Sequence, residues 1–243
     1  KRLIKSCYAR RSPAPASAHE GMLIDLIGSD PDPASPLASY IHNMMAVMVF
    51  DCCRRGLVVS QAELDAYQRA LAVAVTEAMY YFVGSGDCEP RSRQRYLAVT
   101  AAHIVHMLRD TYDDLRAGYY NIPAEYLRSR GLAPDDVQSP KYRAWVRVRV
   151  AQARGYFEAG SRYLERTGSL RCRLAGRSYA ARFESVLDLM EADDYRLRPD
   201  YRACRTLGAG LRTVGVSLLA AAGFHAGHTS WIATSGGREG GNW

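Results

Sequence analysis

Apolar positions along the chain recur every three or four residues. No stretch alternates with period two, so the pattern predicts helices alone. "LASYIHNMMAVMVFDCC" starts a helix near Leu37 and sets Ile41, Met44, Met45 and Met48 at helical spacing. A methionine stripe of this kind suits the filling of core gaps. "SQAE" at 60–63 is a capping box, Ser60 with Glu63 three residues on, and predicts a helix from Gln61 to about Val83. "GSGDCEP" interrupts the pattern, and Pro90 stands near the start of a third helix that runs to about Arg116. "IPAEYLRSRG" reads as one short helix stopped by Gly131. Ser139-Pro140, a cap followed by a first-turn proline, opens a helix to about Arg166. "TGS" separates it from a last helix, Leu170 to about Asp193. The predicted fold class is all-α, with helices long enough for a bundle.

The ends have a different texture. Residues 1–36 are rich in Pro, Ser and Ala and read as a largely disordered segment with a short helix at Met22–Ile27. Residues 37–200 form the expected helical domain, and 201–243 a Gly-rich, acid-poor tail expected to be disordered. The formal net charge of the 243 residues is +7. Residues 1–12 carry +5 of it and residues 201–243 carry +3, which leaves residues 13–200 at −1. That distribution argues against a specific nucleic-acid partner, which needs a basic stripe on a folded face. The basic ends can touch anionic lipid, so the expected location is cytoplasmic with peripheral membrane contact. The six cysteines form no CxxC pair, which fits free thiols in a reducing compartment. No apolar run is long enough to span a bilayer. The start has no initiator Met and no apolar signal-peptide core, and reads as a fragment or a displaced start.

The candidate chemistry lies in 103–123, "HIVHMLRDTYDDLRAGYYNIP". On a helix, His103, His106, Asp110, Asp113 and Asp114 share one side. Carboxylates this close repel one another, and a hard divalent cation would neutralise them. Oxygen ligands suit Mg²⁺, which is commonly shared with substrate phosphates. Arg109 and Arg116 could add phosphate contacts. A solvated acidic face with surface ion pairs is the plain alternative.

The stretch "HMLRDTYDDLRAGYYNIPAEYL" resembles the second aspartate-rich motif of the squalene/phytoene synthase family. Arg109-Asp110 match its Arg-Asp pair. Asp113 stands at a Glu position, Asp114 matches the second Asp, Arg116 and Gly118 the basic Gly turn, and Pro123 its proline. Upstream, "MAVMVFDCCRRG" and "AELDAYQRALAVAV" are similar to family helices, with Asp51 and Tyr67 at matching positions. "YRAWVRVRVAQARGYFEAGSRYLE" is similar to the long helix that follows the motif. The resemblance covers about Leu37 to Pro199. It implies an isoprenoid synthase-like helical bundle, truncated at its N-terminal part, that binds prenyl diphosphates with Mg²⁺ in a central cavity. The implied activity is a prenyl (alkyl) transfer, joining two allylic diphosphates through ionisation and a carbocation. It implies Asp110 and Asp114 as Mg²⁺ ligands with Asp113 in support. Arg109 would orient a carboxylate or a diphosphate, and Arg116, Tyr67, Asp51 and His106 would meet substrate.

The chain also departs from the family pattern. The family's first motif, DxxxD, has no counterpart, because Asp110/Asp114 is the only Asp pair four residues apart. His103 and His106 replace an expected Gln and Asn, and Asn121 replaces an aromatic. Two other readings follow from these departures. One is a bundle metalloprotein that uses His103, His106 and Asp110 for a transition metal. The other is a non-catalytic helical scaffold. "RRG" at 54–56 reads as a helix C-cap, and Tyr80, Tyr119 and Tyr120 as packing aromatics that could also line a cavity.

Overall fold

Serine caps and prolines start most of the long helices. The computed structural model describes residues 1–9, 11, 14–84 and 91–201. In α1 (Arg2–Tyr8) and α2 (Ala18–Ser29) the chain is already helical, and Ser17 caps α2 by accepting from the Glu20 amide. α3 (Pro36–Arg54) begins with Pro36 behind Ser35, whose hydroxyl accepts from the Ala38 amide at 3.1 Å. α4 (Gln61–Phe82) carries the complete capping box, with the Glu63 carboxylate accepting from the Ser60 amide at 2.8 Å. α8 (Pro140–Arg166) is capped by Ser139, and α9 (Leu170–Ala192) by Ser169. The short α7 (Ala124–Arg130) stops at Gly131, whose left-handed backbone (φ 59°) favours glycine.

Two expectations change. Residues 1–36 hold two helices where their composition predicts a linker. Ile4 and Ile27 pack with Leu37 and Ile41 in a small apolar cluster of their own, so α1 and α2 are bound to the start of α3. The third helix is not continuous either. A 3₁₀ turn (Arg93–Tyr96) leads into α5 (Leu97–Arg109), which breaks at Asp110 before α6 (Thr111–Ala117). The cause is local: the Thr111 hydroxyl donates back to the Met107 and Leu108 carbonyls, both at 3.0 Å, and competes with the helix ladder there. The expected tail at 202–243 and the "GSGDCEP" break lie outside the described residues, apart from Gly84.

α5 is the central element. It packs against α4, α8 and α9, and α3 lies on α4. Ala98, Ala101, Ala102, Ile104, Val105 and Leu108 are buried around most of its circumference. All of these but Ala98 join Tyr142, Val146, Val150 and Phe157 of α8 and Val186, Leu187 and Met190 of α9 in the main core. Small residues allow the close approach: a Cβ at Gly160 would come within 2.6 Å of the Ala98 backbone nitrogen. Among the described residues there is no strand, and no helix is long and apolar enough to cross a membrane.

Candidate active site

The site forms where the ends of α3 and α6 are tied together. The Gly56 amide donates to the Gly118 carbonyl at 2.7 Å, and Arg55 Nε to the Ala117 carbonyl at 3.1 Å. Gly118 ends α6 in the left-handed region (φ 83°), which lets the Tyr119 amide turn back to the Asp114 carbonyl at 2.7 Å. A second tie runs from the Ala124 amide to the Val59 carbonyl at 2.9 Å. These backbone bonds bring the last turn of α3 against the segment 119–123.

A continuous hydrogen-bonded chain crosses the junction. Tyr67 on α4 donates to Asp51 Oδ2 at 3.1 Å, and Arg54 Nε donates to Asp51 Oδ1 at 2.8 Å. Arg54 Nη1 donates to Asn121 Oδ1 at 3.0 Å, and Asn121 Nδ2 donates to Asp114 Oδ2 at 2.5 Å. Arg54 is only 7% exposed and lies against the rings of Tyr67 and Tyr119, at 5.0 and 4.9 Å from their centroids. Burial and the Asp51 charge push the Tyr67 hydroxyl up to about 12, so it remains a donor.

Asp110 has its own partners. Arg109 grips it with both arms, Nε to Oδ1 at 2.6 Å and Nη2 to Oδ2 at 2.8 Å. His106 Nδ1 lies 2.9 Å from Oδ2, and His106 Nε2 lies 3.1 Å from Arg109 Nη2. These contacts assign the imidazole proton to Nδ1, which donates to Asp110, while Nε2 accepts from Arg109. Burial opposes the Asp110 charge, but the bonds from Arg109 and His106 outweigh it and hold the carboxyl far below the usual range. Asp114 shows the opposite balance. Burial and the neighbouring Asp110 charge push its carboxyl up, against the Asn121 hydrogen bond and the Arg54 charge.

The structure therefore brings Asp110, Asp114, Arg109, His106, Asp51 and Tyr67 to one region. It places Asp113 and Arg116 elsewhere: their side chains are 70% and 72% exposed and pair with each other. On α6 these two face solvent while Asp114 faces Asn121. His103 is buried, with its ring 5.1 Å from that of Tyr67, whereas the His106 side chain is 54% exposed. His103, His106 and Asp110 are thus not one ligand set, which corrects the stripe read from their spacing. Tyr80 is a packing residue, stacked on Arg95 at 3.8 Å.

Sequence reasoning misses two contributors. In the sequence Arg54 reads as a cap, and Asn121 as a mere departure from an aromatic. The signal for Asn121 is that departure itself, an amide at an apolar position beside the motif.

Mg²⁺ usually takes one or two carboxylates and completes its shell with water and phosphate. Asp110 and Asp114 fit that demand: they are joined through the Asp114 amide and the Asp110 carbonyl at 2.8 Å, and their like charges are coupled. Among the described residues no group of three or more His, Cys, Asp or Glu gathers to hold a metal. The fit is thus to an ion shared with a phosphorylated ligand rather than to an all-protein cage.

A model of the squalene/phytoene synthase family matches residues 22–208. The chain belongs to this family. The match begins inside α2, upstream of the span indicated by the motif resemblance. The squalene/phytoene synthase fold is seen again in the crystal structure of squalene synthase HpnC from Alicyclobacillus acidocaldarius. That protein is 18% identical, and the match covers 81% of this chain and 73% of that one with a TM-score of 0.60. At this identity the likeness carries the fold. No curated relative matches the sequence. Squalene/phytoene synthases generally depend on a divalent metal and bind prenyl diphosphates.

Proposed function

We propose that the chain is a Mg²⁺-dependent prenyl-diphosphate transferase of the squalene/phytoene type. The observation that carries this reading is the pairing of Asp110 and Asp114, one held ionised and the other strained by burial and by its neighbour's charge. Asp110 and Asp114 would hold the ion, which when bound supplies positive charge to a departing diphosphate. Arg109 orients the Asp110 carboxylate through its two-pronged contact, and His106 fixes the same carboxylate from one turn earlier. Asn121 orients Asp114 and transmits its position to Arg54, Asp51 and Tyr67. Asp113 and Arg116 act as a surface pair and have no part in the site.

The reading is tested by incubating the full chain with an allylic prenyl diphosphate such as farnesyl diphosphate and measuring pyrophosphate release with Mg²⁺ and with EDTA. Release that requires Mg²⁺ is expected. Equal release, or none, in both conditions counts against it.

A further inference from the structure

One apolar stripe of α3 is covered along its first half and bare along its second. Ile41, Met45, Met48 and Cys52 recur at helical spacing and lie on one side of the helix, with Val49 and Cys53 beside them. Ile41 is buried in the cluster that binds α1 and α2 to α3, and Met45 packs against the same cluster. Beyond that cover Met48 is 54% exposed, Val49 is exposed, and Cys52 and Cys53 are exposed thiols. The loop that leaves the helix continues the pattern with Leu57, 58% exposed, and Val58. Among the described residues, four of the seven exposed large apolar side chains thus fall within residues 48–58, whereas Met22, Phe82 and Val148 stand apart in sequence. Scattered exposed apolar side chains are ordinary, but a cluster marks a contact surface.

The exposed charges at the two ends of this surface are cations. α1 stands at its upstream end, because the Tyr8 ring stacks on His42 of α3 at 5.4 Å. α1 carries no acid, and Arg2 and Lys5 are exposed on it. At the downstream end Arg55 is exposed, and its Nε donates to the Ala117 carbonyl. None of these three forms an ion pair among the described residues, whereas Arg143, Arg147, Arg154 and Arg162 of α8 each hold a carboxylate. Asp51, the one acid of α3, is held by Arg54 and Tyr67. Asp30 and Asp32, whose charges reach Tyr8, accept from the Asp32 amide at 3.4 Å and the Ala34 amide at 2.9 Å.

An apolar patch with unpaired cations at both ends calls for a partner that offers hydrocarbon and negative charge together. A second copy seated on this face would set like charges against each other. An anionic lipid surface supplies both, with acyl chains for the methionine and aliphatic side chains and headgroup phosphates for the cations. We propose that the second half of α3, the loop at 55–58 and α1 form one face that docks on an anionic membrane. Docking does not depend on the transferase reading, because lipid binding is read without substrate or metal.

Co-sedimentation of the full chain with vesicles of equal parts phosphatidylglycerol and phosphatidylcholine, against vesicles of phosphatidylcholine alone, tests the face. Binding to the anionic vesicles is expected, and added salt should weaken it. Leu57→Asp with Val58→Asp should weaken it about tenfold or more, since two aliphatic side chains leave the acyl region and two negative charges face the headgroups. Arg2→Glu with Lys5→Glu should weaken it too, whereas Val148→Asp, at a comparably exposed position on α8, should bind as the wild type does. No binding of the wild type to anionic vesicles, or wild-type binding by the Leu57→Asp, Val58→Asp variant, overturns the proposal. So does a wild-type dimer in analytical ultracentrifugation that this variant dissolves, which would give the face to a second copy. Should the variant fail to fold, the thiols decide it in the wild type. Anionic vesicles should shield Cys52 and Cys53 from a water-soluble maleimide, read by peptide mass, and equal labelling with and without vesicles overturns the docking face.

Discussion

Arg54 Nη1 donates to Asn121 Oδ1 at 3.0 Å, joining residues 67 positions apart across the ends of α3 and α6. Through this bond the position of Asp114 depends on a buried arginine on another helix. Arg54→Met should therefore lower stability by about 2–3 kcal/mol, because it strands Asn121 and the partly buried Asp51. Urea unfolding measures this. Asn121→Leu should impair Mg²⁺-dependent turnover while leaving α3 and α4 folded, as circular dichroism would report.

Asp113 and Asp114 are adjacent in sequence and opposite in environment. Asp113→Asn should leave turnover nearly unchanged and shift stability by no more than about 0.5 kcal/mol, the usual range for an exposed ion pair. Asp114→Asn should reduce turnover sharply, because the amide can no longer serve as an anionic ligand. Steady-state kinetics on the two variants distinguish them.

His103 gives the fold a pH dependence of definite sign. In the folded chain its pKa is about 3, whereas an unfolded histidine titrates near 6.5. Below about 6.5 the unfolded state binds the extra proton, so stability falls as pH drops towards 3, by up to about 1.4 kcal/mol per pH unit. Asp110, with its depressed pKa, acts in the same direction but only below the ordinary carboxylate range. Asp114, with its raised pKa, acts in the opposite direction above that range. Denaturant unfolding between pH 5 and 7 reads the upper part of the histidine contribution, above the ordinary carboxylate range. His103→Gln should flatten it.

The α5–α8 contact rests on a missing side chain. Gly160→Ala would force a Cβ against the Ala98 backbone and should cost about 1–3 kcal/mol of overpacking. Gly155, exposed on the same helix with nothing within 4 Å of an added Cβ, is the control. Gly155→Ala should stabilise by up to about 1 kcal/mol through helix propensity. Thermal unfolding of the pair measures both.

Much of this architecture was legible because its signals are local. The Ser60–Glu63 capping box, Ser139-Pro140 and Gly131 mark helix ends where the structure has them. The motif at 103–123 carried the family, and spacing alone placed Asp110 and Asp114 one turn apart. The break at Asp110 was hidden because it depends on how one threonine hydroxyl spends its hydrogen bond. Which of Asp113 and Asp114 faces inward depends on that break and on Asn121, so periodicity could not separate them. Arg54 was invisible as a site residue because its burial comes from helices far apart in sequence. In α1 and α2, apolar contacts with Leu37 and Ile41 overrode a composition that reads as linker.

The central claim is that Asp110 and Asp114 together bind Mg²⁺ alongside a diphosphate. Mg²⁺-dependent pyrophosphate release from a prenyl diphosphate, compared among the wild type, Asp113→Asn and the Asp110→Asn, Asp114→Asn double variant, tests it most directly. The account predicts activity in the first two and none in the third. Equal activity in all three, or loss in Asp113→Asn to the level of the double variant, would contradict it.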